Sequence, residues 1–156
     1  MSRPTGRSWA PGRHLAVAAV GVVLAVGGVG HAVASATAGA QGAVLGPGVV
    51  TVEMDLRHSR FEPAELRVRA GTVVRFEVDN LDPIHHELIV GPPEVHAAHA
   101  EGAHHVHPPI PGELSLGPLE DGMTFYEFDE PGTVAMACHL PGHVEHGMVG
   151  SVEVVP

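Results

Sequence analysis

The sequence predicts an all-β fold, an antiparallel Greek-key β-sandwich of seven to eight strands behind an N-terminal export segment. Three observations carry the fold class. From residue 49 onward, apolar and polar residues alternate with the two-residue period of half-buried strands. Turn residues punctuate that pattern at intervals of about ten residues, the spacing of short strands in a sandwich. No stretch beyond residue 49 repeats its apolar residues at a helical period over the usual length of a helix.

The first forty residues stand apart. Arg3, Arg7 and Arg13 precede an apolar run from Leu15 to Val26, and small residues follow from Ala32 to Ala40 with several A-x-A triplets. That is the layout of a secretory signal peptide. A permanent membrane anchor is the rival reading, because no charge interrupts Leu15 to Ala40 and a span needs about 20 apolar residues. Gly27, Gly28, Gly30, His31, Ser35 and Thr37 weaken its second half. Both readings place the rest of the chain in an extracytoplasmic space, periplasmic or secreted, or anchored and facing outward.

Residues 41–48, rich in Gly, read as a linker, and the domain proper as 49–156. Val50, Val52, Met54 and Leu56 alternate with Thr51, Glu53, Asp55 and Arg57 on a first strand. A turn follows around His58 to Pro63. Leu66 and Val68, then Val74, Phe76 and Val78, continue the alternation across the Ala70-Gly71 turn, and together these segments read as a β-meander. Asn80 to Pro83 closes it. On the next strand, about His85 to Val90, His86 shares a face with Leu88 and Val90, while His85 goes with Glu87 and Ile89. The Glu87 side is taken as the wet one, so His86 points inward.

Residues 91–118 contain Pro92, Pro93, Pro108 and Pro109 and five His, and read as an insertion loop with a short helical turn around Glu94 to Ala100. Strands resume at Met123 to Phe128, with Thr124, Tyr126 and Phe128 inward, at Thr133 to Cys138, and at Val149 to Val155. Val134, Met136 and Cys138 share one face, which leaves His139 outside. Met148, Val152 and Val154 share the inward face of the last strand.

Composition bounds the function. At 156 residues the chain fits one domain plus a leader, with no room for a second catalytic domain. Aromatic residues make up 4% of it, so the core is expected to be mostly aliphatic. All 18 acids lie beyond position 50, against five remaining Arg. Nucleic acid is therefore excluded as a partner, since binding it requires clustered basic groups. The single Cys cannot form an internal disulfide, and an exposed thiol outside the cytoplasm would be an oxidation liability.

That Cys lies in the most informative stretch, Cys138-His-Leu-Pro-Gly-His143-Val-Glu-His-Gly-Met148. A thiolate, an imidazole and a thioether are soft or borderline donors that suit copper better than magnesium or calcium. A copper site with two imidazoles, a thiolate and a weak axial Met needs one more His, and His86 is the candidate. The donors borne on strands, His86, Cys138 and Met148, all fall on the inward side by parity. Pro141-Gly142 bends the connection so that His143 can fold back.

With these residues the chain resembles the cupredoxins, the small blue-copper family that includes plastocyanin, azurin and plantacyanin, over roughly Val49 to Pro156. The spacing of Cys138, His143 and Met148 resembles that of the plant phytocyanins and some bacterial blue-copper proteins. His86-Glu87-Leu88-Ile89-Val90 resembles the family's first-ligand strand, with Glu87 where Asn is common. The resemblance implies one type 1 copper held by His86, Cys138, His143 and Met148. It also implies an electron carrier, a monomeric domain that is not an enzyme and docks redox proteins near His143; the alternative, extracytoplasmic copper capture or delivery, rests on the histidines of the insertion, His96, His99, His104, His105 and His107.

Other readings compete. The same residues pack a core without metal in the plainest alternative. Zinc accepts Cys and His, but a Met ligand disfavours it. A dinuclear copper site resembles a two-cysteine loop, which this chain lacks. A multicopper oxidase or copper nitrite reductase would need further copper sites. His58, His139 and His146 read as solvated polar residues. His96, His99, His104, His105 and His107 form a candidate weak second site for a divalent metal, set against the plain alternative of a polar loop.

Overall fold

The computed structural model describes residues 35–36, 42–102 and 110–156, so the expected leader lies almost wholly outside the described residues. So do His104, His105 and His107. No helix among the described residues is long and apolar enough to cross a membrane. The strands are β1 (Ser35–Ala36), β2 (Val44–Leu45), β3 (Gly48–Leu56), β4 (Phe61–Glu62), β5 (Glu65–Arg69), β6 (Thr72–Asn80), β7 (His86–Gly91), β8 (Glu113–Leu116), β9 (Asp121–Phe128), β10 (Gly132–Ala137) and β11 (Val149–Val155). One helix, α1 (Pro93–Ala100), follows β7.

Two sheets form the sandwich. One runs β1-β3-β6-β9 with β4 added on β3, and the other runs β2-β5-β11-β10-β7-β8. Alternation fixes the inner faces as expected: Val50, Val52, Met54 and Leu56 from β3, and Val74, Phe76 and Val78 from β6, are buried. They meet Val68, Leu88, Val90, Met136, Val152 and Val154 of the second sheet in one core. Each such side chain contributes about 1.5–3 kcal/mol on leaving water. The core is mainly aliphatic, with Phe61, Phe76 and Phe128 as its large rings.

The meander expected between residues 50 and 79 is corrected. Strand β3 pairs with β6 in parallel, Val52 opposite Phe76, and β5 crosses to the other sheet to pair in parallel with β11. Alternation says which face of a strand is buried but not which neighbour it bonds, and a crossing strand alternates as a hairpin does. The stretch read as a linker, 41–48, also gains structure: Val44 and Leu45 pair with Arg67 and Val68 of β5. Phe61, placed in a turn, is buried on the two-residue strand β4, which pairs with the end of β3.

Within 91–118, the expected helical turn is a full helix with Pro93 at its first position, where a missing N–H costs nothing. Strand β8 was not expected there. It pairs antiparallel with β7, Leu114 opposite Leu88 and Leu116 opposite His86. Its four residues alternate too briefly to stand out from the surrounding loop.

Candidate metal centre

Strand β7 delivers His86, the end of β10 delivers Cys138, and the loop that leads into β11 delivers His143 and Met148. The loop is held by its own backbone. The His143 N–H donates to the Leu140 carbonyl at 3.0 Å, the Met148 N–H to the His143 carbonyl at 2.9 Å, and the Cys138 N–H to the Met148 carbonyl at 3.2 Å. Gly142 and Gly147 sit at φ of +86° and +87°, the left-handed region that lets so short a loop turn twice. Arg60 reaches across from the other sheet to donate to the His146 carbonyl.

The donor atoms of His86, Cys138 and His143 lie within 4.8 Å of one another. His143 Nδ1 is 3.2 Å from His86 Nδ1 and 3.2 Å from Cys138 Sγ. Donors that share one ion at about 2.0–2.3 Å stand roughly 3–4 Å apart, so these separations suit a common metal. Cys138, Met148 and His86 are buried, and His143 is half-buried. His85 is exposed and lies just before β7, outside the strand.

Hydrogen bonds and burial set the state of His86, His143 and Cys138. His86 Nε2 lies 2.9 Å from Asp82 Oδ2, and a carboxylate accepts only, so Nε2 carries the proton and Nδ1 turns its lone pair to the centre. Burial opposes ionisation of Asp82, but the N–H groups of Ser59 and His58 and the His86 ring outweigh it and hold its pKa below the ordinary 3.8. These N–H groups donate to Asp82 at 2.8 and 2.9 Å. Burial, reinforced by the neighbouring His86, lowers the pKa of His143, which favours the neutral, metal-binding imidazole. Burial pushes the Cys138 thiol up to about 11, partly offset by the N–H groups of Glu87 and Leu140. A thiol that water does not ionise becomes a thiolate when a cation displaces its proton.

Sequence reasoning misses Asp82 and marks Glu87 only as a departure from the Asn common at its position. Asp82 read as one of the turn residues of 80–83, and only its position four residues before a ligand candidate marked it. Alternation puts Glu87 on the face expected to be wet, which the structure corrects: Glu87 and Ile89 are buried, because α1 lies over β7 on that side. The buried carboxylate accepts the His139 N–H at 2.8 Å, and the Glu87 N–H points at Cys138 Sγ at 3.4 Å. One residue thus braces both the strand end that carries Cys138 and the sulfur itself. His139, expected to be solvated, is instead partly buried and faces His96, their nitrogens 2.9 Å apart.

A sandwich that converges two imidazoles and a thiolate at one end of the core, with a buried Met on the same loop, has the donors of a type 1 copper site. The family model described as copper binding proteins, plastocyanin/azurin family, matches residues 48–155. The chain belongs to this family of copper-binding cupredoxins. Among curated proteins it is 36% identical over 98 residues to the copper-resistant cuproprotein CopI of Rubrivivax gelatinosus, covering 61% of this chain and 59% of that one. It is thus matched to about three fifths of that relative's length. The cuproprotein of the same name from Pseudomonas aeruginosa is 24% identical over 138 residues, covering 68% of this chain and 76% of that one. Among solved structures, auracyanin B superposes with a TM-score of 0.55 at 29% identity, over 68% of this chain and 88% of auracyanin B. The cupredoxin's insertion supplies helix α1, which lies against β7, and strand β8, which pairs with the edge of β7 and extends its sheet.

Proposed function

We propose that this cupredoxin is an extracytoplasmic electron carrier, not an enzyme, in which His86, Cys138, His143 and Met148 would hold one type 1 copper. Copper bound there would supply one-electron chemistry between its Cu(II) and Cu(I) states. The observation that carries the reading is the burial of three of these donors while His143 keeps an edge at the surface.

The residues of the chain then do the rest. Asp82 fixes the ring of His86, the Glu87 N–H steadies the sulfur, and the backbone bonds of the loop fix His143 and Met148. Donors so held move little when the charge at their centre changes, which keeps the reorganisation energy low. Val144 beside His143 is exposed, as are Ile84, two residues before His86, and Leu119, whose N–H donates to the Asp82 carbonyl at 3.2 Å. These apolar groups at the ligand end support brief docking of a redox protein around His143. The acidic remainder of the chain steers it toward a basic partner at low salt.

A second reading, copper capture or delivery, is favoured by the name of the curated relatives, which ties them to copper resistance. One experiment separates the two. The copper-loaded chain is mixed with a metal-free copper acceptor and, separately, with a redox protein. A carrier exchanges electrons with the second and keeps its metal in the presence of the first; rapid copper loss without electron exchange would overturn the carrier reading.

A further inference from the structure

On the opposite side of β10 from the core, three imidazoles gather. His96 and His99 are spaced i, i+3 on α1 and so share one face of that helix, and His139 follows Cys138 out of β10. His96 Nδ1 lies 2.9 Å from His139 Nε2, with ring centroids 5.2 Å apart, and the His99 ring is 6.2 Å from that of His139. His99 Nε2 in turn sits 3.0 Å from Glu113 Oε2. None of these residues belongs to the Cys138 site.

We propose that His96 and His139 form a second metal site, flanked by His99, that takes a divalent ion of the copper and zinc class. The tautomer of His96 is set for it. Its Nε2 faces the Ala135 carbonyl at 3.3 Å, and a carbonyl only accepts, so the proton sits on Nε2 and Nδ1 offers a lone pair. This is how ligating imidazoles are usually fixed, by a backbone or carboxylate acceptor on the far nitrogen. With metal–nitrogen bonds of about 2.0–2.1 Å, two nitrogens separated by 2.9 Å subtend close to a right angle at a shared ion. That is the angle between adjacent ligands of tetragonal Cu(II), and Cu(II) is also the divalent ion such a nitrogen site holds most tightly.

The surroundings leave room for further ligands. A cleft of about 450 Å³ adjoins the pair on the His139 side, lined by His99, His139 and Glu145 but not by His96. Water in that cleft can complete the coordination, with a carboxylate nearby to offset the charge of the ion. The bond from the Glu87 carboxylate to the His139 N–H holds the peptide that separates the two sites. Metal at His139 therefore need not disturb Cys138. The competing explanation of the close nitrogens is a plain hydrogen bond, His139 Nε2–H donating to His96 Nδ1.

Cu(II) titration of the full chain separates these explanations. One equivalent is expected to develop the thiolate band, and a further equivalent to add an electron paramagnetic resonance signal with imidazole nitrogen couplings and no further thiolate absorption. His96→Ala, which keeps a good helix former on α1, should bind one equivalent fewer than the wild type and retain the thiolate band, which also reports that it is folded. His99→Ala should weaken the same equivalent by less. Equal stoichiometry and affinity in the wild type and His96→Ala, or a wild type that stops at one equivalent, would overturn the second site. A missing thiolate band with the His96-dependent equivalent intact would count against the type 1 reading and support this one.

Discussion

Copper uptake at Cys138 should release a proton, with a pH dependence set by the buried thiol. Because its pKa lies near 11, the metal-free site holds a neutral thiol throughout the physiological range, and only a bound cation removes the proton. Between pH 8 and 10 the lowered pKa of His143 leaves that ring already neutral, so the thiol proton is the one to be displaced there. Apparent Cu(II) affinity should then rise about tenfold per pH unit, about 2.7 kcal/mol over the two units. The same shift governs the metal-free fold with the opposite sign. A pKa raised in the folded state from 9.0 to about 11 contributes stability that is complete below pH 9 and is lost as pH climbs toward 11, roughly 2–3 kcal/mol in all. Competition against a chelator of known pH dependence measures the first effect, and urea unfolding of metal-free protein measures the second. An affinity slope below about half a decade per unit would mean that the thiol is already ionised or is not a ligand, and would refute the reasoning.

Further substitutions probe the individual donors. His86→Ala should abolish or redraw the copper spectrum while His85→Ala leaves it nearly unchanged, and visible titration of both variants would expose a strand slipped by one residue if the outcome reversed. Met148→Leu should leave a coloured protein with a shifted reduction potential, read by voltammetry, because an axial bond is weak beside the three in the plane. Asp82→Asn removes a negative charge from behind His86, so the potential should rise by tens of millivolts with the thiolate band retained. A charge placed at Val144, as in Val144→Lys, should slow electron exchange in stopped-flow mixing and leave the spectrum alone.

What the sequence revealed follows from what alternation encodes. It places side chains on faces, so it found Val50, Val52, Met54 and Leu56, Val74, Phe76 and Val78, and the inward His86, Cys138 and Met148, all of which are buried. It carries no record of pairing, so the parallel joins of β3 to β6 and β5 to β11 were invisible. Faces also mislead where a second layer covers them. Glu87 looked wet because α1, 93–100, was read as a turn within a loop, yet that helix buries the outer side of β7 and makes the carboxylate a partner for the His139 N–H. Asp82 was hidden for another reason. Its role depends on the fold of the 80–85 turn, which points a carboxylate back at the ring four residues ahead, and nothing in a turn's composition specifies that direction.

The visible spectrum of the purified chain after addition of one equivalent of Cu(II), set beside that of Cys138→Ser, tests the central claim most directly. It reports metal, thiolate ligation and site geometry at once. The expected result is an intense thiolate-to-copper band in the wild type that is bleached in the variant. A wild type without such a band, or a band that survives Cys138→Ser, would contradict a type 1 centre built on His86, Cys138, His143 and Met148.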